Sequence, residues 1–348
     1  MRDSKGRIIS LIGLLFFYQA VAPAAQIIND GSPKSSETLL KEFYNKKDVT
    51  ILITDSGLGG ISVLAGLERG LKPAKIFSNV NLIFVNALPS AQFSYNSLTT
   101  REEKASMFDY VLSRIIEQYK PDIILIACNT LSVVYPSTEY YKNELIPVIG
   151  IVESGVDLFI QKMKSSNDKI IILGTGTTIS SNVHKQKLAE RGIEPGKIIT
   201  LACPDLESEI QSNPGSGMVA DMIDYYTDEI KDEAADNSGR IFAGLCCSHY
   251  AYSKDIFKSV LSSKFGKDVE ILNPNEPMID SIIKKEYMNR AERTSIRASV
   301  ISQAELTPEE RSGIINVIRG ESESAADALQ NYSLVKNLFK MEQFRKKR

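Results

Sequence analysis

The stretch TILITDSGLGGISVLAGL, residues 50–67, decides the fold of this chain. It begins with a short apolar run of the kind found in buried strands and continues through a glycine-rich turn. Apolar residues then recur at helical spacing, from Ile61 to Leu67. A strand, a tight turn and a helix in this order form the repeating unit of an α/β protein with a parallel sheet.

The same alternation of strand runs and helical patterns continues toward the C-terminus. We predict a helix over residues 101–119, between apolar strand runs at 82–85 and 123–126. Further strands are expected to end near residues 152, 173, 201 and 245. Two similar halves predict two parallel-sheet α/β half-domains covered by helices, with the active site in the cleft between them.

Changes in composition along the chain set the predicted boundaries of its parts. These are a signal peptide at 1–24, a lead-in at 25–48, a first α/β domain at 49–150 completed by about 266–288, a second at 151–265, and a helical C-terminal extension at 289–348. Within the extension, Thr307 is expected to cap a helix that has Pro308 in its first turn.

The amino terminus has the pattern of a cleavable secretory signal. Basic residues precede an apolar run at 8–17, and the small residues of Ala22-Pro23-Ala24 follow it. We expect cleavage after Ala24 and export, most simply to a periplasm, with a signal anchor or a cytoplasmic chain as alternatives. The apolar run is too short for a confident membrane span, so none is expected in the mature chain.

The overall composition limits the classes of partner. The 348 residues are 43% hydrophobic and 24% charged, which is typical of a globular protein with an apolar core. A formal net charge of -2 gives no electrostatic reason to expect binding to nucleic acid. A small-molecule ligand is therefore the more natural partner.

Two cysteines follow directly after predicted strands. Cys128 ends the run at 123–126, and Cys247 ends the run at 241–245. Ligands of open α/β sheets bind outside the carboxyl ends of the strands. One such thiol is more often a small buried hydrophobe, but two on different strands suggest two-base chemistry on one substrate.

A histidine and a second cysteine lie beside Cys247 in the sequence. His249 lies two positions from Cys247, where an imidazolium would favour the thiolate, whereas His184 is expected to be solvated. The spacing of Cys246, Cys247 and His249 does not suit zinc, so no metal is expected. In an oxidising compartment Cys128 and Cys247 are expected to stay free, while a bridge involving Cys203 or Cys246 remains open.

The glycine-rich turn after the first strand lacks the features of nucleotide-binding loops. No Lys-Ser or Lys-Thr pair follows it, and Gly57, Gly59 and Gly60 do not have dinucleotide spacing. The turn is either structural or offers its amides to an anion such as a carboxylate, with Asp55 at its edge.

Five motifs in order resemble the glutamate racemase family, in the aspartate/glutamate racemase superfamily. They are residues 53–64, Ala127-Cys128-Asn129-Thr130, residues 147–153, residues 201–204 and Cys246-Cys247-Ser248-His249-Tyr250. The resemblance covers about residues 50–285. It implies a cofactor-independent racemase that interconverts L- and D-glutamate, and hence a supply of D-glutamate for peptidoglycan and cell wall biogenesis.

The resemblance also implies roles for particular residues. Cys128 and Cys247 would exchange the α-proton on opposite faces of the substrate, supported by Asp55, Glu153 and His249. The substrate-binding positions implied in this way are Ser56, Tyr95, Asn96, Asn129, Thr130, Thr178 and Ser248. No cofactor is implied, and a homodimer is compatible with the sequence.

One loop and two single positions depart from the family pattern. The Pro-Tyr-Gly loop of the family becomes Ser94-Tyr95-Asn96, a glycine becomes Cys246, and a threonine becomes Ser248. The altered loop bears on the choice of substrate. Alternatives are therefore a racemase for aspartate, a hydantoin or another amino acid, or an exported amino-acid-binding protein of the same fold without catalysis.

Overall fold

The structure is a computed structural model that describes residues 35–90, 95–235 and 238–340. The signal peptide predicted at 1–24 lies outside the described residues. Within the described ranges, no helix combines the length and the apolar character that crossing a membrane requires.

The described strands alternate with helices along most of the chain. The strands are β1 (Asp48–Asp55), β2 (Asn79–Asn86), β3 (Ile123–Ile126), β4 (Val148–Gly150), β5 (Lys169–Gly174), β6 (Ile198–Ala202), β7 (Ile241–Cys246), β8 (Val269–Leu272), β9 (Ser295–Ser302) and β10 (Ser333–Leu334).

The described α-helices vary in length from one turn to five. They are α1 (Ser36–Tyr44), α2 (Ile61–Ala74), α3 (Arg101–Tyr119), α4 (Asn129–Val134), α5 (Glu139–Lys142), α6 (Ile151–Lys162), α7 (Gly176–Ser180), α8 (Val183–Glu190), α9 (Leu206–Ser212), α10 (Gly217–Asp228), α11 (Lys231–Ala235), α12 (Lys254–Phe265), α13 (Asn275–Ile282), α14 (Pro308–Ile318) and α15 (Glu323–Gln330).

The strands form two parallel sheets, which confirms the predicted α/β fold. One sheet has the order β10-β9-β2-β1-β3-β4, and the other has the order β6-β5-β7-β8. Every pair of neighbouring strands is parallel. Because helices cover both faces of such sheets, central strands such as β3 are wholly buried, which explains their unbroken apolar runs.

The C-terminal region is not purely helical, so that part of the prediction is wrong. β9 pairs with β2 along its whole length, from Asn79 opposite Ser295 to Asn86 opposite Ser302, and β10 extends the same sheet. Val300 and Ile301 of β9 are buried. β1 occupies only one edge of β2, so the other edge offers backbone hydrogen bonds to a further strand, and β9 takes them. The predicted start of the next helix is confirmed, because Thr307 caps α14 and Pro308 is its first residue.

Two shorter segments also differ from the prediction. Residues 266–288 do not belong to the first sheet alone, because β8 pairs with β7 in the second sheet. The lead-in contains the helix α1, whose Phe43 and Tyr44 are buried. Tyr44 stacks on Tyr287 with ring centroids 4.1 Å apart, which holds the helix against the body of the protein.

Candidate active site

A cavity of about 460 Å³ lies at the carboxyl ends of strands from both sheets. Ten of the twelve residues predicted for the site line it: Asp55, Ser56, Tyr95, Cys128, Asn129, Thr130, Thr178, Cys247, Ser248 and His249. In parallel sheets this edge is where ligands bind, because side chains and helix N-termini converge there. The cavity is therefore the candidate active site.

Both cysteines occupy the ends of central strands. Cys128 follows β3 and precedes the first turn of α4, and Cys247 follows β7 and precedes a 3-10 helix over Ser248–Ser253. Each is only 6% exposed, and each is a free thiol. Cys203 and Cys246 are also free, so none of the four cysteines forms a bridge in the structure.

The Cys128 thiol lies beside a hydroxyl and a carboxylate. Its Sγ is 3.2 Å from the Oγ of Ser56. Burial, and then the negative charge of Asp55, raise the pKa of Cys128 to about 12, although the Ser56 contact works in the opposite direction. The resting side chain is therefore a thiol near neutral pH.

The Cys247 thiol has an imidazole as its neighbour. Its Sγ is 3.8 Å from the Nδ1 of His249. Burial raises the pKa of Cys247 well above its ordinary value, and the charge of Glu207 adds to this effect. Burial also lowers the pKa of His249, so the pair rests as thiol and neutral imidazole, and the imidazolium that would favour the thiolate is not the resting form of the ring.

Asp55 connects the ends of the two sheets. Its Oδ2 accepts a hydrogen bond of 2.6 Å from the hydroxyl of Ser248, and the carboxylate is 1% exposed. The glycine-rich turn makes this approach possible, because a Cβ at Gly59 would lie 2.2 Å from Ser248 Oγ and 2.7 Å from the backbone N of His249. The turn therefore has a structural role.

The amides and hydroxyls near Cys128 could hold a polar substrate. The Thr130 hydroxyl is 2.9 Å from that of Thr175, which lies 3.1 Å from the hydroxyl of Thr178. Both polar atoms of the Asn129 side chain are buried and make no hydrogen bond within the described part of the protein. A buried amide of this kind is costly unless a ligand pairs with it.

The altered loop contributes one residue to the cavity. Tyr95 is 1% exposed, and its hydroxyl also makes no hydrogen bond among the described residues. The side chain of Asn96 lies outside the described part of the structure, so its predicted contact with substrate stays a prediction.

Glu153 is not brought into the cavity, contrary to the expectation from the sequence. It lies in the first turn of α6, and its carboxylate is paired with Lys187 and with Arg191 at 2.9 Å. Half of its side chain is exposed; Lys187 lies in α8, and Arg191 is the residue directly after that helix. The family motif places Glu153 near the sheet edge, but helical periodicity turns it toward the outer surface.

Several acidic and amide residues of the cavity wall were not predicted from the sequence, among them Glu207, Gln211 and Glu310. Gln211 Oε1 lies 2.9 Å from His249 Nε2, and its Nε2 donates to Glu310 Oε1 at 2.6 Å. The only local signal was the capping pattern from Thr307 to Glu310, which predicts a helix start and not a site.

The other histidine does not contribute to the cavity. His184 is 2% exposed, so the expectation that it is solvated is wrong. Burial, with a smaller effect of Lys187, lowers its pKa to about 4. Across the described ranges, no group of three or more His, Cys, Asp and Glu side chains is arranged to hold a metal ion.

The sequence of the chain matches a known protein family and curated relatives. The model of the Asp/Glu/Hydantoin racemase family matches residues 51–237, which is more than half of the chain. The chain is 29% identical over 231 residues to a glutamate racemase of Streptococcus mutans, covering 66% of this chain and 78% of the relative. It is 27% identical over 230 residues to that of Aquifex pyrophilus, covering 65% and 79%.

Solved structures share the fold. A glutamate racemase isoform from Bacillus anthracis superposes with a TM-score of 0.61 at 20% identity, covering 85% of this chain and 98% of that one. The glutamate racemase of Francisella tularensis, solved with D-glutamate, has a TM-score of 0.61 at 18% identity and covers 85% and 99%. The sheets, the cavity and the sequence matches lead to one conclusion: this chain belongs to the Asp/Glu/Hydantoin racemase family.

Proposed function

We propose that this racemase interconverts L- and D-glutamate without a cofactor, using Cys128 and Cys247 as its two acid/base groups. The observation that carries the proposal is that the two thiols line one cavity from the ends of strands in different sheets. Glutamate is proposed because the sequence relatives described above are glutamate racemases.

Racemisation needs one group that accepts the α-proton and one that donates a proton to the opposite face. One cysteine thiolate takes the proton, so an S–H bond forms, the Cα–H bond breaks, and the electron pair is delocalised into the α-carboxylate. The S–H bond of the other cysteine then breaks as a new Cα–H bond forms on its side. Thiols suit this cycle because they reach both protonation states more readily than hydroxyls do.

The proposed thiolates need help to form, since burial favours the neutral thiols. Cys247 can give its proton to Nδ1 of His249, which is 3.8 Å away. Cys128 has the hydroxyl of Ser56 at 3.2 Å as a hydrogen-bond donor to its thiolate. Such contacts stabilise the charged form at the moment when it is required.

The polar residues around the cysteines are proposed to hold the two carboxylates and the ammonium group of the substrate. The amide of Asn129 and the hydroxyls of Thr130 and Thr178 supply neutral donors for a carboxylate. The carboxylates of Asp55 and Glu207 are candidates for pairing with the ammonium group. Donors close to the α-carboxylate would also stabilise the charge that develops there.

Deuterium exchange tests this proposal directly. Reduced protein in D2O should incorporate deuterium at Cα of L- or D-glutamate and abolish the optical activity. Cys128→Ser and Cys247→Ser should each lower racemisation at least about a hundredfold, because a hydroxyl is a far poorer acid/base than a thiol. Cys203→Ser is the matched control, since Cys203 lies outside the cavity lining, and its rate should stay near that of the parent.

Other outcomes would change the proposal. Exchange with aspartate alone would reassign the substrate. Tight amino-acid binding by calorimetry, with no exchange of glutamate or aspartate, would instead support a binding protein of this fold and exclude catalysis.

We also propose that the mature enzyme is exported, on the basis of the pattern in residues 2–24. Expression of the full chain should give a periplasmic form that begins just after Ala24, as measured by cell fractionation and N-terminal sequencing. A full-length chain found in the cytoplasm would contradict export. Homodimer formation and a role in peptidoglycan supply stay predictions.

A further inference from the structure

A chain of hydrogen bonds leads from the C-terminal region to one of the proposed catalytic thiols. Gln211 Nε2 donates to Glu310 Oε1 at 2.6 Å. Gln211 Oε1 lies 2.9 Å from His249 Nε2, and the opposite ring nitrogen, Nδ1, lies 3.8 Å from Cys247 Sγ. Glu310 is therefore connected to Cys247 through two intervening side chains.

The fold holds Glu310 at the head of this chain. It lies in the first turn of α14, where its Oε2 accepts the backbone N–H of Thr307 at 2.8 Å. α14 packs on α9, the helix that carries Gln211. Both oxygens of the Glu310 carboxylate are thus engaged, one by its own helix start and one by Gln211.

The carboxylate determines which way the Gln211 amide is turned. An ionised carboxylate can only accept hydrogen bonds, so the amino group of Gln211 must face Glu310. The amide oxygen of Gln211 then faces His249 and also accepts the N–H of Leu58 at 2.9 Å. The same N–H also lies 3.2 Å from His249 Nε2, but because the nearer Gln211 oxygen accepts it, that ring nitrogen is not needed as an acceptor and is left to donate.

The orientation of Gln211 in turn decides where the imidazole carries its proton. An amide oxygen accepts, so His249 donates from Nε2 and keeps a lone pair on Nδ1. Only this tautomer can take a proton from the thiol of Cys247. With the proton on Nδ1, the ring would point a donor at the sulfur and could not act as its base.

We propose that Glu310 is a positioning residue that acts through Gln211 to keep the proton of His249 on Nε2, so that Nδ1 can receive the proton of Cys247. The inference rests on the proposed two-thiol function. The carboxylate comes from outside residues 51–237, the part that the family model matches. The C-terminal region is thereby part of the machinery of the site and not only an addition to the sheet.

The tautomer can be measured in the whole protein without substrate. The chain has only two histidines, so the 15N spectrum of protein labelled at histidine contains two imidazoles, of which His184 is the internal reference. At about pH 8, where both rings are neutral, His249 should be protonated on Nε2. A wild-type spectrum with the proton of His249 on Nδ1 would overturn the inference, whatever the activity.

Glu310→Gln is the variant that should reverse the tautomer. The amide oxygen of the new Gln side chain at position 310 can still accept the backbone N–H of Thr307. Its amino group then faces the amino group of Gln211, and two donors face each other. Gln211 must then turn over and present its amino group to His249, so the proton moves to Nδ1. We expect kcat for racemisation to fall at least about tenfold with little change in KM.

Two further variants separate this effect from general disturbance of the helix. Glu309→Gln removes the neighbouring exposed carboxylate of α14 and should change neither the tautomer nor kcat. The swapped pair Gln211→Glu with Glu310→Gln should restore both, because a carboxylate at 211 accepts from the amide at 310 and from His249 Nε2.

The outcomes are distinguishable from failure of the proposed function. An unchanged tautomer and kcat in Glu310→Gln, or no recovery in the swapped pair, would refute the role of Glu310. Absence of glutamate exchange by the wild-type protein would refute the proposed function alone, since the 15N measurement needs no turnover.

Discussion

At the scale of single residues, the site combines reactive groups with an environment that keeps them neutral. Burial raises the pKa of both Cys128 and Cys247 and lowers that of His249. Each thiol has a polar side chain beside it, Ser56 for Cys128 and His249 for Cys247. These two contacts favour the charged form of each thiol against the effect of burial, so the proposed mechanism depends on them.

The pH dependence of the enzyme should report His249. Burial lowers the pKa of this ring below its ordinary value of 6.5, although the charges of Asp55 and Glu310 act in the opposite direction. In the proposed mechanism the neutral ring accepts the proton of Cys247, so kcat/KM should be retained at neutral pH and be lost as the pH falls through a value below 6.5. The measurement is kcat/KM for glutamate against pH.

The histidine variants provide the controls for this profile. His249→Gln should lower the rate and remove the acid limb, whereas His184→Gln, outside the cavity lining, should leave the limb in place. An acid limb centred above the ordinary histidine value, or one that survives in His249→Gln, would contradict the assignment.

At the scale of elements, the C-terminal region completes the first half of the molecule. β9 covers the edge of β2, and α14 brings Glu310 and the loop before it to the cavity wall. α15 packs against α14 and against α2, the helix of the first strand–turn–helix unit. The same 46 residues, from Ser295 to Lys340, therefore both extend the first sheet and form part of the cavity wall.

A substitution in β9 tests whether this strand belongs to the core. Val300 is 1% exposed, so Val300→Asp would bury an unpaired charge and should lower the free energy of unfolding by about 3 kcal/mol or more. Arg297→Asp is the control, because the same strand exposes Arg297, and a change within about 0.5 kcal/mol is expected. Urea unfolding measures both, and equal losses in the two variants would argue against the pairing.

At the scale of the whole molecule, the two sheets bury all four cysteines, and none of the four forms a disulfide bond. Cys128 and Cys247 are each 6% exposed, while Cys203 and Cys246 are fully buried. Cys246 belongs to a different apolar cluster from its neighbour Cys247, because successive residues of a strand point to opposite faces. This alternation keeps the two adjacent thiols apart.

The enclosure predicts an order of chemical modification. In the native protein a small alkylating agent should reach Cys128 and Cys247 before Cys203 and Cys246, and glutamate should slow the first two. Peptide mass spectrometry after timed labelling gives the order, and all four should react after unfolding. Earlier labelling of Cys203 or Cys246, or a native Cys246–Cys247 bridge, would contradict the enclosed arrangement.

Local sequence determined much of the fold, and together with the family resemblance it predicted ten of the residues that line the cavity. The stretch at 50–67 forms β1, its turn and the start of α2, and the helix predicted at 101–119 has those bounds in the structure. Cys128 and Cys247 come directly after apolar strand runs in the sequence. The ends of those strands could therefore be predicted, and with them the positions of the two cysteines. These features depend on periodicity and turn chemistry, which act between near neighbours.

Only the tertiary structure decided which side chains lie around those two thiols. It turned Glu153 outward to Lys187 and Arg191, and it brought Gln211 and Glu310 to His249 from helices about a hundred residues apart. No local pattern encodes such a contact, because it depends on how β9 and α14 pack against elements distant in the chain. The sequence therefore determined where the two thiols lie, and the packing of the C-terminal region decided which side chains surround the His249 ring beside one of them.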